Sequence, residues 1–221
     1  MPLLYKVYKV LRTGWKRLTP EAQKALRDFV ASQKTANGYV NAGGLEDTYY
    51  EQFGRILEAV FSPVRLLCMT IHLEVPETRG RGTVYAQFFD FLEKERRLRR
   101  PKDIEISVPK VLTTNAVCCL LSMRHQVGLP VDKDHVDWLR QRQDVSGGFY
   151  ASEQAPVPDL LSTAVALFTL RLIGVPVKDA SAFIQAHWRC GGGFSPSVLD
   201  DYSDVEYVFY GLMALGASCK Y

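Results

Sequence analysis

QDVSGGFYASEQAPVPDLLSTAVALFTL (residues 143–170) and WRCGGGFSPSVLDDYSDVEYVFYGLMAL (residues 188–215) share one pattern. Each carries Gly-Gly-Phe, at Gly147-Gly148-Phe149 and Gly192-Gly193-Phe194, then a polar loop, an Asp (Asp159, Asp204) and a long apolar run. The copies stand 45 residues apart. Self-similarity at a fixed offset is the mark of a repeat architecture. Working outward, FVASQKTANGYVNAGGLEDTYY (residues 29–50) holds a third copy. There Gln33 stands five residues before Gly38-Tyr39, as Gln143 does before Gly148-Phe149 and Trp188 before Gly193-Phe194. The first and middle copies are 110 residues apart, which leaves room for one irregular unit over about 63–128.

Each unit has two helical parts of different character. The part before the glycines is amphipathic: Leu26, Phe29, Val30 and Gln33 fall at helical spacing, with Glu21, Lys24, Arg27 and Asp28 on the other side. Val136 and Leu139 play the same part among Lys133, Asp134, Asp137, Arg140 and Arg142. The part after the glycines, as in 111–123, 160–172 and 205–215, is apolar nearly all round and must be surrounded by protein. Half-exposed helices alternating with buried ones predict an all-α fold, a two-layer α/α toroid or partial toroid. The spacing predicts four helix pairs, at about 20–60, 80–127, 132–173 and 178–216, with a basic amphipathic helix in residues 1–18 preceding the toroid domain of 19–221 and a short helix over 63–76. The glycines would supply the restricted backbone at the turn between layers. Asp47, Asp159 and Asp204 would cap the buried helices.

The 221 residues, 47% of them hydrophobic, suffice for a full core. Five cysteines (Cys68, Cys118, Cys119, Cys190, Cys219) form no C-x-x-C pair, which argues for reduced thiols in a cytoplasmic protein. The longest apolar run, 160–177, is broken by Arg171, Gly174 and Pro176, so no membrane span is expected, and no signal peptide is visible. Net charge is +3, yet residues 1–18 alone hold Lys6, Lys9, Arg12, Lys16 and Arg17 and no acid. The rest carries 22 basic and 24 acidic residues, which sets nucleic acid aside as a partner. With Leu3, Leu4, Val7, Val10, Leu11 and Trp15 on the same helix, residues 3–17 could lie peripherally on an anionic membrane, dock on the toroid, or meet a protein partner or second copy.

The order Gln, Gly-Gly-Phe, polar loop, Asp, apolar helix resembles the repeat shared by protein prenyltransferase β-subunits and class II terpene cyclases such as squalene–hopene cyclases. DVEYVFYGLMALG (residues 204–216) is similar to the prenyltransferase phrase Asp-x-Glu-Tyr-x-Tyr-Tyr-Gly-Leu. The resemblance is best over 132–217, fair over 20–60 and weakest over 63–128. It implies six hairpins, against four here, and an isoprenoid-handling function. Prenyltransferases hold zinc with an Asp-x-Cys and a later His. Here Asp159 matches the Asp, but Leu161 and Tyr207 stand where the Cys and His would be, so no zinc site is expected. Cyclases protonate an alkene with the middle acid of Asp-x-Asp-Asp-Thr-Ala. PDLLSTA (residues 158–164) resembles that motif with Leu161 and Ser162 in place of two acids, whereas GLEDTYY (residues 44–50) sets Glu46 and Asp47 in the two acidic places.

Glu46 and Asp47 are therefore the candidate general acids, against their reading as an ordinary helix cap. Tyr50, Tyr207 and Tyr210, with Tyr49 and Phe209, are candidates to line an isoprenoid cavity, against plain core packing. Helical geometry puts Tyr207 and Tyr210 on one face and Phe209 away from it. Asp204 and Glu206, with Asp200 and Asp201, could hold Mg²⁺ and a diphosphate, or serve as loop and cap residues. Arg96, Arg97, Arg99, Arg100 and Lys102 could add cations or form a solvated helix end. His72, His125, His135 and His187 lack metal-ligand spacing. Arg171 inside an apolar run calls for an anionic partner or a reach beyond the helix end. The opposing function is a non-catalytic binding or scaffold subunit that keeps the fold and has lost the chemistry.

Overall fold

The computed structural model describes residues 1–44, 48–62, 84–96 and 106–218. These are all-α: nine helices and no strand among the described residues. They are α1 (Leu3–Arg17), α2 (Pro20–Ser32), α3 (Thr48–Phe61), α4 (Val84–Arg96), α5 (Thr114–Val127), α6 (Lys133–Gln141), α7 (Leu160–Leu172), α8 (Ser181–Ala186) and α9 (Val205–Ala217). The four expected pairs are α2/α3, α4/α5, α6/α7 and α8/α9. The helix expected over 63–76 lies outside the described residues.

Helix starts follow from local chemistry. Asp159 accepts from Ser162 N at 2.7 Å and Asp204 from Tyr207 N at 3.1 Å. Thr19, Thr113 and Asp132 cap α2, α5 and α6 in the same way. Thr113 also moves a boundary: the expected start at Val111 gives way to Thr114, and Val111 is exposed. Burial separates the two classes of helix. In α2 only Leu26 and Val30 are buried and in α6 only Leu139, whereas most of α5, α7 and α9 is buried.

The turns repeat bond for bond. Gln33, Arg142 and His187 are the right-handed C-caps of α2, α6 and α8. Each offers its carbonyl to a residue beyond the turn: Val40 N at 3.0 Å, Tyr150 N at 3.1 Å and Ser195 N at 2.9 Å. The first loop is therefore one residue shorter than the others. This corrects the sequence register: Gln33 matches Arg142 and His187, while Lys34 matches Gln143 and Trp188. The backbone bridges Lys34–Tyr39, Gln143–Phe149 and Trp188–Phe194 follow that register. Tyr39, Phe149 and Phe194 are buried, and Tyr39 and Phe194 lie against Gly54 and Gly211 of the following helix.

The same glycines reveal the order of the pairs. Gly147 has φ +92°, and a Cβ there would lie 2.6 Å from Ala180 Cα, just before α8. Gly192 has φ +89°, and a Cβ there would lie 2.7 Å from the carbonyl carbon of Ala25 in α2. Only glycine takes both the left-handed backbone and the close approach. The fourth pair thus abuts the first. Among the buried helices, α5 meets α7, α7 meets α9 and α9 meets α3. The order in space is α4/α5, α6/α7, α8/α9, α2/α3.

Helix α1 docks on its own chain. Leu3, Tyr8, Leu11, Gly14 and Trp15 are buried, so this face of α1 packs on the protein. It lies across the C-terminal ends of the buried helices α3, α5 and α9, which together with α7 are the inner helices. Tyr8 Oη donates to Ala59 O at 3.4 Å and Arg12 to Val60 O at the end of α3. Arg17 donates to Leu215 O of α9 at 2.8 Å, and Lys6 to Gln126 Oε1 of α5 at 2.7 Å. Those helix ends carry partial negative charge, which cations offset. Arg171 acts likewise: its Nη1 donates to Gly216 O at 2.7 Å, a reach beyond its helix that accounts for an arginine in an apolar run.

Candidate functional site

The N-terminal halves of α3 and α9 meet in a chain of rings. Tyr49 stacks edge-on with Tyr50 and Phe53, centroids 5.4 and 5.0 Å apart. Phe53 continues to Phe209 at 5.1 Å and Tyr210 at 6.0 Å. Tyr207 lies 6.5 Å from Tyr210 and 6.2 Å from Tyr202 in the preceding loop. The structure therefore brings together Tyr50, Tyr207 and Tyr210, the three tyrosines picked out in the sequence. Tyr207 and Tyr210 share a half-buried face and Phe209 is buried, as helical geometry requires.

Phe53 is the centre of this cluster, and sequence reasoning passed over it. Its signal was the spacing from Tyr49 and Tyr50, four and three residues on along one helix. The neighbouring inner helices show half-buried positions at similar spacing, Asn115 and Cys119 on α5 and Leu161 and Val165 on α7.

One carboxylate belongs to the cluster. Glu206, 8% exposed, accepts from Tyr49 Oη at 2.8 Å. Burial pushes the Tyr207 and Tyr210 hydroxyls well above their ordinary range, and nearby acids push in the same direction, so both stay neutral phenols. Asp204 has another job. It is 2% exposed and its carboxylate is engaged as the α9 cap, also drawing on the backbone of Glu206 and Ala42. Burial raises the carboxyls of Asp159 and Asp204 above the usual carboxylate range, and their backbone N–H bonds oppose that rise.

The acidic group does not assemble for a metal. Asp200 accepts from Ser197 Oγ at 2.7 Å, Asp201 is exposed, and Asp204 is the cap. Among the described residues no three His, Cys, Asp or Glu side chains come together as metal ligands, so the Mg²⁺ reading of Asp200, Asp201, Asp204 and Glu206 finds no support there. Glu46 and Asp47, the candidate acids, lie outside the described residues, as do His72 and the cations from Arg97 to Lys102.

Two further buried groups lie apart from the cluster. His187 is buried, its Nδ1 donating to Phe183 O at 2.8 Å and its ring 4.2 Å from that of Phe183. Burial lowers its pKa, so it stays neutral. Burial pushes the Cys118 thiol far up, which makes it unreactive. Chemically, then, the site offers ring faces, neutral phenol donors and one buried carboxylate beside an apolar stripe. Ring faces of this kind are chemically suited to apolar surface and to positive rather than negative charge. No helix among the described residues is long and apolar enough to cross a membrane. Set against protein-family models, curated proteins and solved structures, the chain matches none.

Proposed function

We propose that this chain is an isoprenoid-handling protein built as a partial α/α toroid, with the half-buried faces of α3, α5, α7 and α9 lining its interior. The observation that carries the reading is the run of rings from Tyr50 through Phe53 to Tyr210 and Tyr207, with Glu206 beside it. Support comes from two sides: the sequence repeat resembles those of prenyltransferases and class II terpene cyclases, and the aromatic residues of α3 and α9 form one cluster. With Asp159 and Asp204 engaged as caps, acid chemistry on this reading falls to Glu46. A cytoplasmic location is the reading favoured by the odd number of cysteines and the lack of a C-x-x-C pair.

The capping roles of Asp159 and Asp204, with Leu161 and Ser162 in place of acids, favour a second reading: a non-catalytic subunit that binds without reacting. Thermal unfolding with farnesyl diphosphate, geranylgeranyl diphosphate and squalene, against a detergent control, tests binding. A ligand at 100 times its Kd adds about 2.7 kcal/mol, or roughly 5–10 °C for a chain of this size. A rise that Tyr210→Ala removes supports the site; no rise beyond the detergent control refutes isoprenoid handling. Product formation that Glu46→Gln abolishes, with the rise retained, supports acid catalysis. Binding without product supports the second reading.

A further inference from the structure

Helices α1 and α7 diverge around a groove of about 440 Å³ at the opposite end of the inner helices from the tyrosine cluster. That size lies within the range of small-molecule sites. Its floor is apolar, made by Val10 of α1 with Phe168 and Leu172 of α7. Its charged side chains are Lys6 and Lys9 of α1 and Arg171 of α7, and among the described residues no carboxylate lines it. The positions are set by helical spacing: 6, 9 and 10 share one face of α1, and 168, 171 and 172 share one face of α7. The ammonium of Lys6 reaches Gln126, and that of Lys9 lies over the Tyr5 ring at 5.0 Å. Arg171 keeps its bond to Gly216 O. An arrangement of three cations over a hydrocarbon floor is complementary to one kind of molecule, a dianionic head joined to an apolar tail.

We infer that this groove is a binding site for a phosphate-headed single-chain amphiphile, with the head between Lys6, Lys9 and Arg171 and the tail along Phe168 and Leu172. The site is separate from the tyrosine cluster and does not depend on the isoprenoid reading. A straight-chain probe keeps the two apart. Dodecyl phosphate is titrated into the full chain by calorimetry, beside dodecyl maltoside and inorganic phosphate. The expected result is saturable binding of dodecyl phosphate alone. Its affinity should fall about tenfold in Lys9→Gln and about a hundredfold in the Lys6→Gln/Lys9→Gln variant, as charge-assisted bonds are lost. The unliganded melting temperature should stay within a few degrees of the parent, because Lys9 is exposed and glutamine at position 6 can still donate to Gln126. Leu172→Ala separates head from tail: it should weaken dodecyl phosphate, and a loss there comparable to that of the lysine variants supports the apolar floor. Co-sedimentation with phosphatidic acid vesicles, abolished in the double lysine variant, supports the site with a bilayer lipid as its source. Binding of the monomeric probe without vesicle binding supports it with a soluble amphiphile. Inorganic phosphate binding as tightly as dodecyl phosphate, affinity unchanged in the double variant, or no binding at all overturns the proposal.

Discussion

Gly216→Ala is the sharpest test of how α1 is held. Taken as a helix position alone, the change should stabilise, since alanine is favoured over glycine by about 1 kcal/mol in a helix interior. The structure predicts the opposite sign. A Cβ on Gly216 would lie 2.8 Å from the carbonyl carbon of Val10 and 3.0 Å from Gly14 N, and would overlap the Val10 carbonyl oxygen outright. Both obstacles are backbone, so no rotamer relieves them, and α1 and α9 must move apart. Forcing one extra carbon into such a contact costs about 1–3 kcal/mol. The upper bound is loss of α1 docking altogether. Exposing Leu3, Leu11 and Trp15, buried in the common core, would cost about 1.5–3 kcal/mol for each side chain. The expected outcome is a loss of about 2 kcal/mol, a fall in melting temperature of about 4–8 °C. Gly191→Ala serves as control, because its added Cβ meets nothing within 4 Å. Thermal unfolding followed by circular dichroism reads both variants. A Gly216→Ala protein as stable as the parent, or more so, would refute the close crossing of α1 and α9.

Gln143→Ala should cost about 2–3 kcal/mol in urea unfolding, because the side chain bonds Gly147 O, Lys178 O and Lys178 N at 3.0, 3.0 and 2.9 Å. Gln33→Ala should stay within about 0.5 kcal/mol, since Gln33 is not its structural equivalent; equal costs would contradict the one-residue register shift. Tyr49→Phe should cost about 1–2 kcal/mol by stripping Glu206 of its phenol donor, and a neutral result would mean that this bond adds nothing net to stability. Asp204 carries a pH test. Its folded pKa is raised above the unperturbed 3.8, chiefly by burial. The native state therefore holds this proton to higher pH than the unfolded chain does. The stability this contributes is present at low pH and is lost as pH rises from 3.8 through the raised value. Asp204→Asn keeps the cap acceptor and cannot ionise, so urea unfolding between pH 4 and pH 7 (about the window concerned) should show a smaller decline with pH than in the parent; identical pH profiles would count against the buried carboxyl.

The all-α class and the four helix pairs were legible because amphipathic and all-round apolar runs differ over many residues, as Leu26 and Val30 differ from the stretch 160–172. The caps Asp159 and Asp204 were legible because an Asp just before an apolar run has few other uses. What the sequence hid was order in space. The 110-residue gap between the first and middle glycine turns looked like an irregular insert. It holds the α4/α5 pair, and in space the first pair adjoins the fourth, as Gly192 against Ala25 and the meeting of α3 with α9 show. The register of the first loop was hidden for a smaller reason. One missing residue lets Gln33 imitate Gln143 by identity, whereas hydrogen bonding pairs it with Arg142 and His187. In the candidate site the three tyrosines were legible from helical spacing. Phe53 was not, because only the meeting of α3 with α9 makes it central.

The unequal charge of the chain has a physical explanation in the same geometry. Buried helices lying side by side concentrate positive partial charge at their N-terminal ends and negative at the other. Carboxylates sit at the first kind of end, as Asp159 and Asp204 do on α7 and α9. The C-terminal ends need cations, and there the loops supply few. The basic helix α1 meets that need through Arg12 at α3 and Arg17 at α9, with Arg171 joining from α7. Five basic residues and no acid in residues 1–18 are thus accounted for in part by the helices they cover. Lys6 and Lys9 stand apart from Arg12 and Arg17, since neither donates to an inner-helix carbonyl in the bonds described: one reaches a Gln126 side chain and the other lies over its own Tyr5. Of the charge that the helix ends do not take up, Lys6 and Lys9 border the groove and Lys16 is exposed to solvent.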